Sequence, residues 1–241
     1  MNVIKTNELI AVSQHGAMEY AKPPCNLDEV RLYRLNRIRK ALVERDLAGI
    51  ILYDQLNTRY ATDSTNMQIW CSHNEARYVY VPAEGPTVLF EYGGKQMLSD
   101  GLPGVERVRK THSFFYFAAG DEYQDRARLW ALDMDSIIRE HNGGNKRVAI
   151  DRLAPIGIQE MERLGYKIHD GFEVMENARE IKNEGEIALM RHSIGVCENA
   201  VHQMRNAMRP GITENALWAE LHHGNIAGGG EWIETRLLAS G

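Results

Sequence analysis

A long run of regularly spaced apolar residues after Asn183 constrains the fold more than any other feature of the sequence. Asn183 is a favoured helix N-cap, and Glu184 and Glu186 follow it where the positive end of a helix dipole stabilises carboxylates. Apolar residues then recur at three- and four-residue steps: Ile187, Met190, Ile194, Cys197, Val201, Met204 and Met208. The spacing predicts a long helix with a buried stripe, so the fold must supply a large apolar partner surface.

Helical and extended patterns alternate before this helix. Residues 48–53 form a short continuous apolar run, typical of a strand that is covered on both faces. Other strands are predicted at 77–81, 87–92, 105–111, 147–151 and 166–169, and helices from Asn26 or Asp28 to Asp46, over 122–141 and over 155–164. The pattern predicts an α/β domain with a mixed sheet of about six strands covered by helices.

The two ends of the chain differ from this alternation. Residues 1–25 lack clear periodicity and are predicted to form an arm with at most one helical turn. Near the other end, Thr213 is predicted to cap a second helix that Gly228 to Gly230 terminate, and residues 231–239 are predicted as a strand with Trp232, Leu237 and Leu238 as its apolar positions. A sheet with one such strand leaves an unpaired edge, so we expect the sequence to be a fragment.

Composition argues against several classes of protein. The 241 residues carry a net charge of −5, whereas nucleic-acid-binding domains usually have a basic surplus, so no nucleic-acid partner is expected. No apolar run approaches the roughly 18 residues of a membrane span, and Leu9–Val12 is too short for a signal-peptide core. Cys25, Cys71 and Cys197 are widely spaced, which favours reduced thiols in a cytoplasmic protein.

Three features resemble chemical motifs and have simpler explanations. His222 and His223 are neighbours on a helix and point about 100° apart, so they cannot share an ion by themselves. Asp133 and Asp135 lie within a predicted helix, where side chains two positions apart diverge, and we interpret them as part of a solvated face. The glycines at 228–230 precede a predicted strand and form a flexible corner, not a phosphate-binding loop.

The polar segment Asn57–Trp70 is more informative. It follows the buried strand, is rich in capping residues and ends in an indole. A loop at the end of a rigid strand is a common place for binding groups. Alternatively, Trp70 packs into the domain and the hydroxyl groups satisfy local backbone groups. The residues alone leave both interpretations open.

Several segments resemble one family. Arg179-Glu180-Ile181-Lys182, followed closely by Glu186-Ile187-Ala188-Leu189-Met190-Arg191, resembles the entry to the catalytic domain of the creatinase/prolidase, or pita-bread, metalloenzymes. Asn57-x-Arg59-Tyr60-x-Thr62 is similar to the loop after the first strand of their amino-terminal domains. Residues 59–70 and 231–241 look like the dimethylsulfoniopropionate lyase branch of that family.

The resemblance implies a division of the chain. It implies an amino-terminal arm over 1–25, a creatinase-type amino-terminal domain over 26–174, and the opening helices and first strand of an α+β pita-bread catalytic domain over 175–241. It also implies a homodimer with two divalent ions, iron or another transition metal, in the full-length parent. The metal ligands and the base would follow Gly241, so no catalytic residue, metal ligand or cofactor is assigned to this chain, and alone it would be inactive.

The resemblance further implies a reaction and one binding residue. The lyases cleave dimethylsulfoniopropionate to dimethyl sulfide and acrylate by β-elimination. Trp70 matches a position expected to wall the substrate pocket, where an indole face suits a sulfonium cation. Two alternatives remain: an Xaa-Pro peptidase-type hydrolase of the same fold, or a non-catalytic pita-bread binding module.

Overall fold

The computed structural model describes residues 9–12, 18–21, 23–231, 233 and 235–240. These residues fall into two compact units. One unit contains residues 28–181, and the other contains the described residues before Asp28 and from Lys182 onwards.

Strands and α-helices follow one another along the described part of the chain. The strands are β1 (Leu9–Val12), β2 (Met18–Ala21), β3 (Gly49–Leu52), β4 (Tyr78–Pro82), β5 (Val88–Glu91), β6 (Arg107–Lys110), β7 (Arg147–Ile150) and β8 (Lys167–Asp170). The helices are α1 (Leu27–Glu44), α2 (Gln55–Thr62), α3 (Gln68–His73), α4 (Tyr116–Ala119), α5 (Tyr123–Arg139), α6 (Pro155–Arg163), α7 (Gly171–Glu180), α8 (Glu184–Ala207) and α9 (Glu214–Ala227).

The predicted mixed sheet is confirmed in the unit that contains residues 28–181. Six strands pair in the order β6-β5-β4-β3-β7-β8. β4 is antiparallel to both β3 and β5, and the remaining pairs are parallel. The carboxyl ends of β3, β5, β6, β7 and β8 therefore lie along one edge of the sheet, where the amino end of β4 also lies. Ligand-binding residues of open α/β sheets usually occur at such an edge.

Both faces of the sheet are covered. On one face Ile51 packs in a cluster with Trp130 and Met134 of α5. On the other face Ile50 packs in a cluster that α1 and α7 contribute to. Successive residues of β3 point to opposite faces of the sheet, and both faces are covered. All four residues are therefore buried, which explains the continuous apolar run. Some apolar residues of α1 and α5 are exposed and do not pack on the sheet: Leu32, Val43 and Leu129.

One prediction in this unit is wrong, and one helix was not predicted. Residues 57–70, predicted as a loop, contain α2 and the start of α3, because the Asp54 carboxylate accepts from the N–H groups of Leu56 and Asn57 and caps α2. The helix that was not predicted is α7. Its last carbonyls are bonded by side chains from elsewhere: Arg37 donates to Ala178 and Asn177, and Tyr60 also donates to Ala178.

The described part of the amino-terminal arm is extended. β1 and β2 form an antiparallel pair with Leu9 opposite Ala21 and Val12 opposite Met18. The prediction of a helical turn is therefore wrong for the residues of β1 and β2. Their backbone groups form hydrogen bonds between the two strands and not within a turn of helix.

The predicted helix after Asn183 is confirmed as α8. Asn183 accepts from the Glu186 N–H, and Glu186 accepts from the Asn183 N–H, which completes a capping box. The prediction that the stripe is buried is wrong in this structure. Its exposed members include Met190 (50%), Ile194 (55%) and Val201 (51%).

The final segment is partly as predicted. Thr213 caps α9 and Gly228 follows its last residue, which confirms that helix. The predicted strand is wrong for the described residues of 231–239, which have no strand conformation. Their tail is bonded instead to the start of α9: Ser240 donates to Glu214, and Arg236 donates to Asn215. Trp232, an apolar position of that prediction, lies outside the described residues.

Among the helices of the described residues, none has the length and apolar character that crossing a lipid bilayer requires.

Candidate functional site

Three aromatic residues meet at the carboxyl edge of the sheet. Trp70 lies on α3, Tyr92 directly follows β5, and Phe115 lies beyond the end of β6. The ring centroids are 5.4 Å apart for Trp70 and Tyr92, and 6.0 Å apart for the edge-on pair of Trp70 and Phe115. All three side chains are partly buried, so the cluster, which we call the Trp70 cluster, has both packed and solvent-facing parts.

The surface near the Trp70 cluster is apolar. Phe117 stacks on Phe115 at 6.5 Å between centroids and is 86% exposed. Met67 and Ile69, on either side of the start of α3, are also more than half exposed. Aromatic faces with solvent access attract cations through the ring quadrupole and bind methyl groups by apolar contact. The arrangement suits a ligand with a methylated cationic head.

The Trp70 cluster contains no activated nucleophile or base. Burial raises the pKa of the Cys71 thiol, so Cys71 stays protonated at neutral pH. Burial, followed by the neighbouring Cys71, raises the pKa of Tyr92 to about 12, so its phenol also stays neutral. The cluster can therefore bind and orient a ligand, and it does not provide proton transfer at neutral pH.

A buried network lies under the Trp70 cluster. Arg77 Nε lies 2.7 Å from Glu91 Oε2, and the two side chains are 1% and 0% exposed. Arg77 Nη2 donates to Ser64 Oγ at 2.5 Å, and Asn66 Nδ2 donates to Glu91 Oε1 at 3.0 Å. The network joins the amino end of β4 and the end of β5 to the segment that leads into α3.

Sequence reasoning did not identify Asp151, which lies at the same edge after β7. Asp151 is 7% exposed and accepts from the Tyr53 N–H at 2.7 Å, the Asp54 N–H at 3.2 Å and Asn57 Nδ2 at 2.9 Å. Burial raises its pKa to about 6, although the three donors oppose the shift. Both oxygens are occupied by bonds that tie β7 to the start of α2, which is a structural role. Asp151 directly follows a buried parallel strand, and this position in the sequence could have identified it as a candidate.

The acidic pair on α5 and His222 of α9, which belong to sequences that resemble chemical motifs, have structural partners. Asp133 and Asp135 are not on a solvated face, because each carboxylate is 13% exposed and pairs with its own arginine, Arg109 and Arg139 respectively. Tyr166 also donates to Asp135 at 2.8 Å. His222 packs edge-on against Trp218 at 5.2 Å between ring centroids.

The described residues contain no group of three histidine, cysteine, aspartate or glutamate side chains placed to hold a metal ion. The carboxylates of Asp133, Asp135 and Asp151 are each bonded to protein donors. These residues do not fit the two-metal centre that the family resemblance implies. Within the part of the chain that the structure describes, Cys25, Cys71 and Cys197 form no disulfide.

The sequence is similar to two curated dimethylsulfoniopropionate lyases named DddP. It is 42% identical to the protein of Roseovarius nubinhibens over 221 residues, which cover 90% of this chain and 50% of that protein. It is 41% identical to the protein of Roseobacter denitrificans over 221 residues, 90% of this chain and 49% of that protein. This chain thus spans about half the length of the curated relatives that it matches. No family model matches the sequence.

The fold is similar to that of solved prolidase-type peptidases. Over 80% of this chain and 48% of the solved chain, it matches an Xaa-Pro dipeptidase from Bacillus anthracis with a TM-score of 0.56 and 18% sequence identity. Identity this low indicates a shared fold and nothing about the reaction. Across nine-tenths of its length, this chain is therefore similar in sequence to two dimethylsulfoniopropionate lyases, and its fold is similar to that of the prolidase-type peptidases.

Proposed function

We propose that this chain is part of a metal-dependent dimethylsulfoniopropionate lyase, which converts its substrate to dimethyl sulfide and acrylate. The observation that carries the proposal is the identity of 42% and 41% to two curated lyases over 90% of the chain. The proposal divides the chain into the arm over 1–25, the domain over 26–174 and the opening of the catalytic domain over 175–241.

The chemistry of the substrate supports a binding role for the Trp70 cluster. Dimethylsulfoniopropionate has a dimethylsulfonium cation, which has no hydrogen-bond donor, and a carboxylate. An aromatic face is the protein group best suited to such a cation, and it contributes about 0.5 to 2 kcal/mol as the cation is desolvated. Trp70 is partly exposed and is backed by Tyr92 and Phe115, so its indole is held in place while part of it stays open to solvent.

The proposed reaction is a β-elimination. A base removes the proton on the carbon next to the carboxylate, the electron pair of that C–H bond forms the double bond of acrylate, and the carbon–sulfur bond breaks. The sulfur keeps the electrons of that bond and leaves as neutral dimethyl sulfide. The base and the metal ligands are assigned to the half of each relative that this chain does not match.

The proposal includes assembly and location. Related pita-bread enzymes are often dimeric, and we assign this protein to homodimers in which the domain of residues 26–174 helps to close an active site. The thiols of Cys25, Cys71 and Cys197 suit a reducing compartment, which supports a cytoplasmic location.

The test compares two activities of the longer protein that contains this chain. Headspace dimethyl sulfide released from dimethylsulfoniopropionate is measured beside proline released from Xaa-Pro dipeptides. The proposal predicts dimethyl sulfide and no proline. Proline release alone would establish the peptidase alternative, and neither product with intact fold would favour a binding module.

A further inference from the structure

We propose that Arg77 and Glu91 are positioning residues that set the orientation of the Trp70 indole, and with it the preference of the site for a sulfonium over a neutral group. This inference rests on the proposed function, because it concerns how the same site recognises its substrate. Neither residue lies on the aromatic surface, so each acts through the segment that carries Trp70.

The burial of the ion pair is the first observation. Arg77 and Glu91 are 1% and 0% exposed, and their closest atoms are 2.7 Å apart. Removing two charges from water is costly, and their attraction alone seldom stabilises the fold more than apolar residues of similar volume would. A buried pair is therefore weak as a source of stability and better explained as a device that fixes one arrangement.

The bonds of the pair show which arrangement it fixes. Arg77 donates to both the hydroxyl and the carbonyl of Ser64, at 2.5 and 3.3 Å. Glu91 accepts from Asn66 Nδ2 at 3.0 Å and from the backbone N–H of Tyr92 at 3.2 Å. The same two side chains thus hold the segment before α3 and the residue whose ring lies against Trp70.

The backbone of the segment between α2 and α3 is strained, and bonds from Arg31 to Asp63 and between Ser64 and Ser99 also hold it. Asp63 and Met67 both have positive φ, 57° and 44°, a backbone conformation that is unfavourable for residues other than glycine. α3 is six residues long and has no side-chain cap at Met67. A short, uncapped helix is unstable alone. Its position therefore depends on contacts such as the bond from Cys71 Sγ to the Asn66 carbonyl at 3.3 Å.

The consequence concerns specificity. A cation is attracted to the face of an indole and gains little at its edge, whereas apolar contact depends less on direction. If the network is loosened, Trp70 still offers apolar surface, but its face no longer meets the cation in a fixed direction. Loss of the network should reduce the preference for a cation more than the affinity for a neutral ligand of the same shape.

The experiment uses two ligands that cannot undergo the elimination. Dimethylsulfonioacetate and 3-methylbutanoate have the same heavy-atom skeleton and carboxylate, and they differ in a cationic sulfur against a neutral carbon. Dissociation constants are measured by calorimetry on the longer protein that contains this chain. The variants are Asn66→Ala and Ser64→Ala, which loosen the network without leaving a buried charge unpaired, as removal of Arg77 or Glu91 would.

The controls separate positioning from folding. Asn142→Ala removes an asparagine whose Nδ2 donates to the Asn145 carbonyl at 2.8 Å, in a turn away from α3. Trp70→Ala tests the site itself. Urea unfolding of every variant reports stability, and Ser64→Ala provides the measurement if Asn66→Ala fails to fold.

The unmodified protein is expected to bind the sulfonium about tenfold more tightly than the neutral ligand. Asn66→Ala and Ser64→Ala should reduce this ratio to about twofold, and Asn142→Ala should leave it unchanged. If Trp70→Ala loses the preference while both network variants retain it, the positioning inference is wrong and the proposed site stands. If Trp70→Ala retains the preference, the proposed site and the inference are both wrong.

Discussion

At the scale of single residues, Trp70 packs against Tyr92 and Phe115 and stays partly exposed, which is compatible with the binding role proposed for it. The sequence singled out Trp70 because it ends a polar segment that follows a strand. It could not reveal Tyr92 or Phe115, because these residues come from two other connections that meet Trp70 only when the sheet forms.

Substitution of Trp70 should therefore affect binding more than folding. Trp70→Ala in the longer protein is expected to weaken binding of dimethylsulfonioacetate by about 1 to 3 kcal/mol, since it removes the aromatic face. Trp218→Ala, which removes an indole of α9 that packs against His222, is the matched control. Calorimetry measures affinity, and near-ultraviolet circular dichroism reports the fold. If the variant loses its fold, and the molecules that remain folded bind the ligand with unchanged affinity, Trp70 is a core residue and not a binding residue.

Asp151 gives the protein a pH-dependent stability. Burial raises its folded-state pKa to about 6 from an ordinary value of 3.8, so the protonated form is favoured in the folded state. The stabilisation is fully present below pH 3.8 and is lost as the pH rises through 6. A shift of this size corresponds to about 3 kcal/mol at most.

Replacement of Asp151 tests this assignment. Asp151→Asn should flatten the part of the stability profile between about pH 4 and pH 7, because the amide does not ionise. The Asn57 side chain can rotate to accept from the new amide, so the fold should persist. Urea unfolding at several pH values measures the profile. An unchanged difference between pH 4 and pH 7 in the variant would show that another group is responsible.

At the scale of elements, the spacing of apolar residues predicted the strands and helices that are held by burial of apolar side chains. The buried strands β3, β4, β5 and β7 and the helices α5 and α6 follow from such patterns, whereas the start of α8 was predicted from its capping residues. α2 was missed because its buried residues include Asn57 and Thr58, whose side chains make specific bonds within the domain, so its sequence lacks an apolar stripe. α7 was missed because its last turn is stabilised by Arg37 and Tyr60, which are distant in sequence.

The start of α7 depends on a close approach that only glycine permits. A Cβ atom on Gly171 would lie 2.4 Å from the backbone nitrogen of Asp151. Gly171→Ala should therefore destabilise the fold by about 3 kcal/mol or more, because backbone must shift at the end of β7. Gly195, within α8, has no atom within 4 Å of such a Cβ. Gly195→Ala should instead stabilise its helix by about 0.5 to 1 kcal/mol.

Thermal unfolding of the two alanine variants distinguishes the two environments. The expected result is a lower midpoint for Gly171→Ala and an equal or higher midpoint for Gly195→Ala. Equal midpoints for both variants would mean that β7 and α7 are not in close contact.

At the scale of the whole molecule, the apolar stripe of α8 is the main feature that the described residues leave uncovered. Ile194 and Val201 are each more than half exposed, although their spacing is typical of a buried helix face. The curated relatives are about twice as long as the matched segment. Because the proposed function makes this chain part of a longer protein, we expect the rest of that protein to cover the stripe.

A charge on the stripe tests that assignment. Val201→Glu should change the unfolding free energy of the 241-residue chain by no more than about 0.5 kcal/mol, because the side chain is exposed there. In the longer protein, the same change should cost about 2 kcal/mol or more, because an unpaired carboxylate would be buried. Equal effects in the two proteins would show that the stripe stays in solvent.

The most direct test of the account is product analysis of the longer protein supplied with dimethylsulfoniopropionate and an Xaa-Pro dipeptide in one reaction. We expect one dimethyl sulfide and one acrylate for each dimethylsulfoniopropionate consumed, while the dipeptide stays intact. Release of proline with no dimethyl sulfide would contradict it.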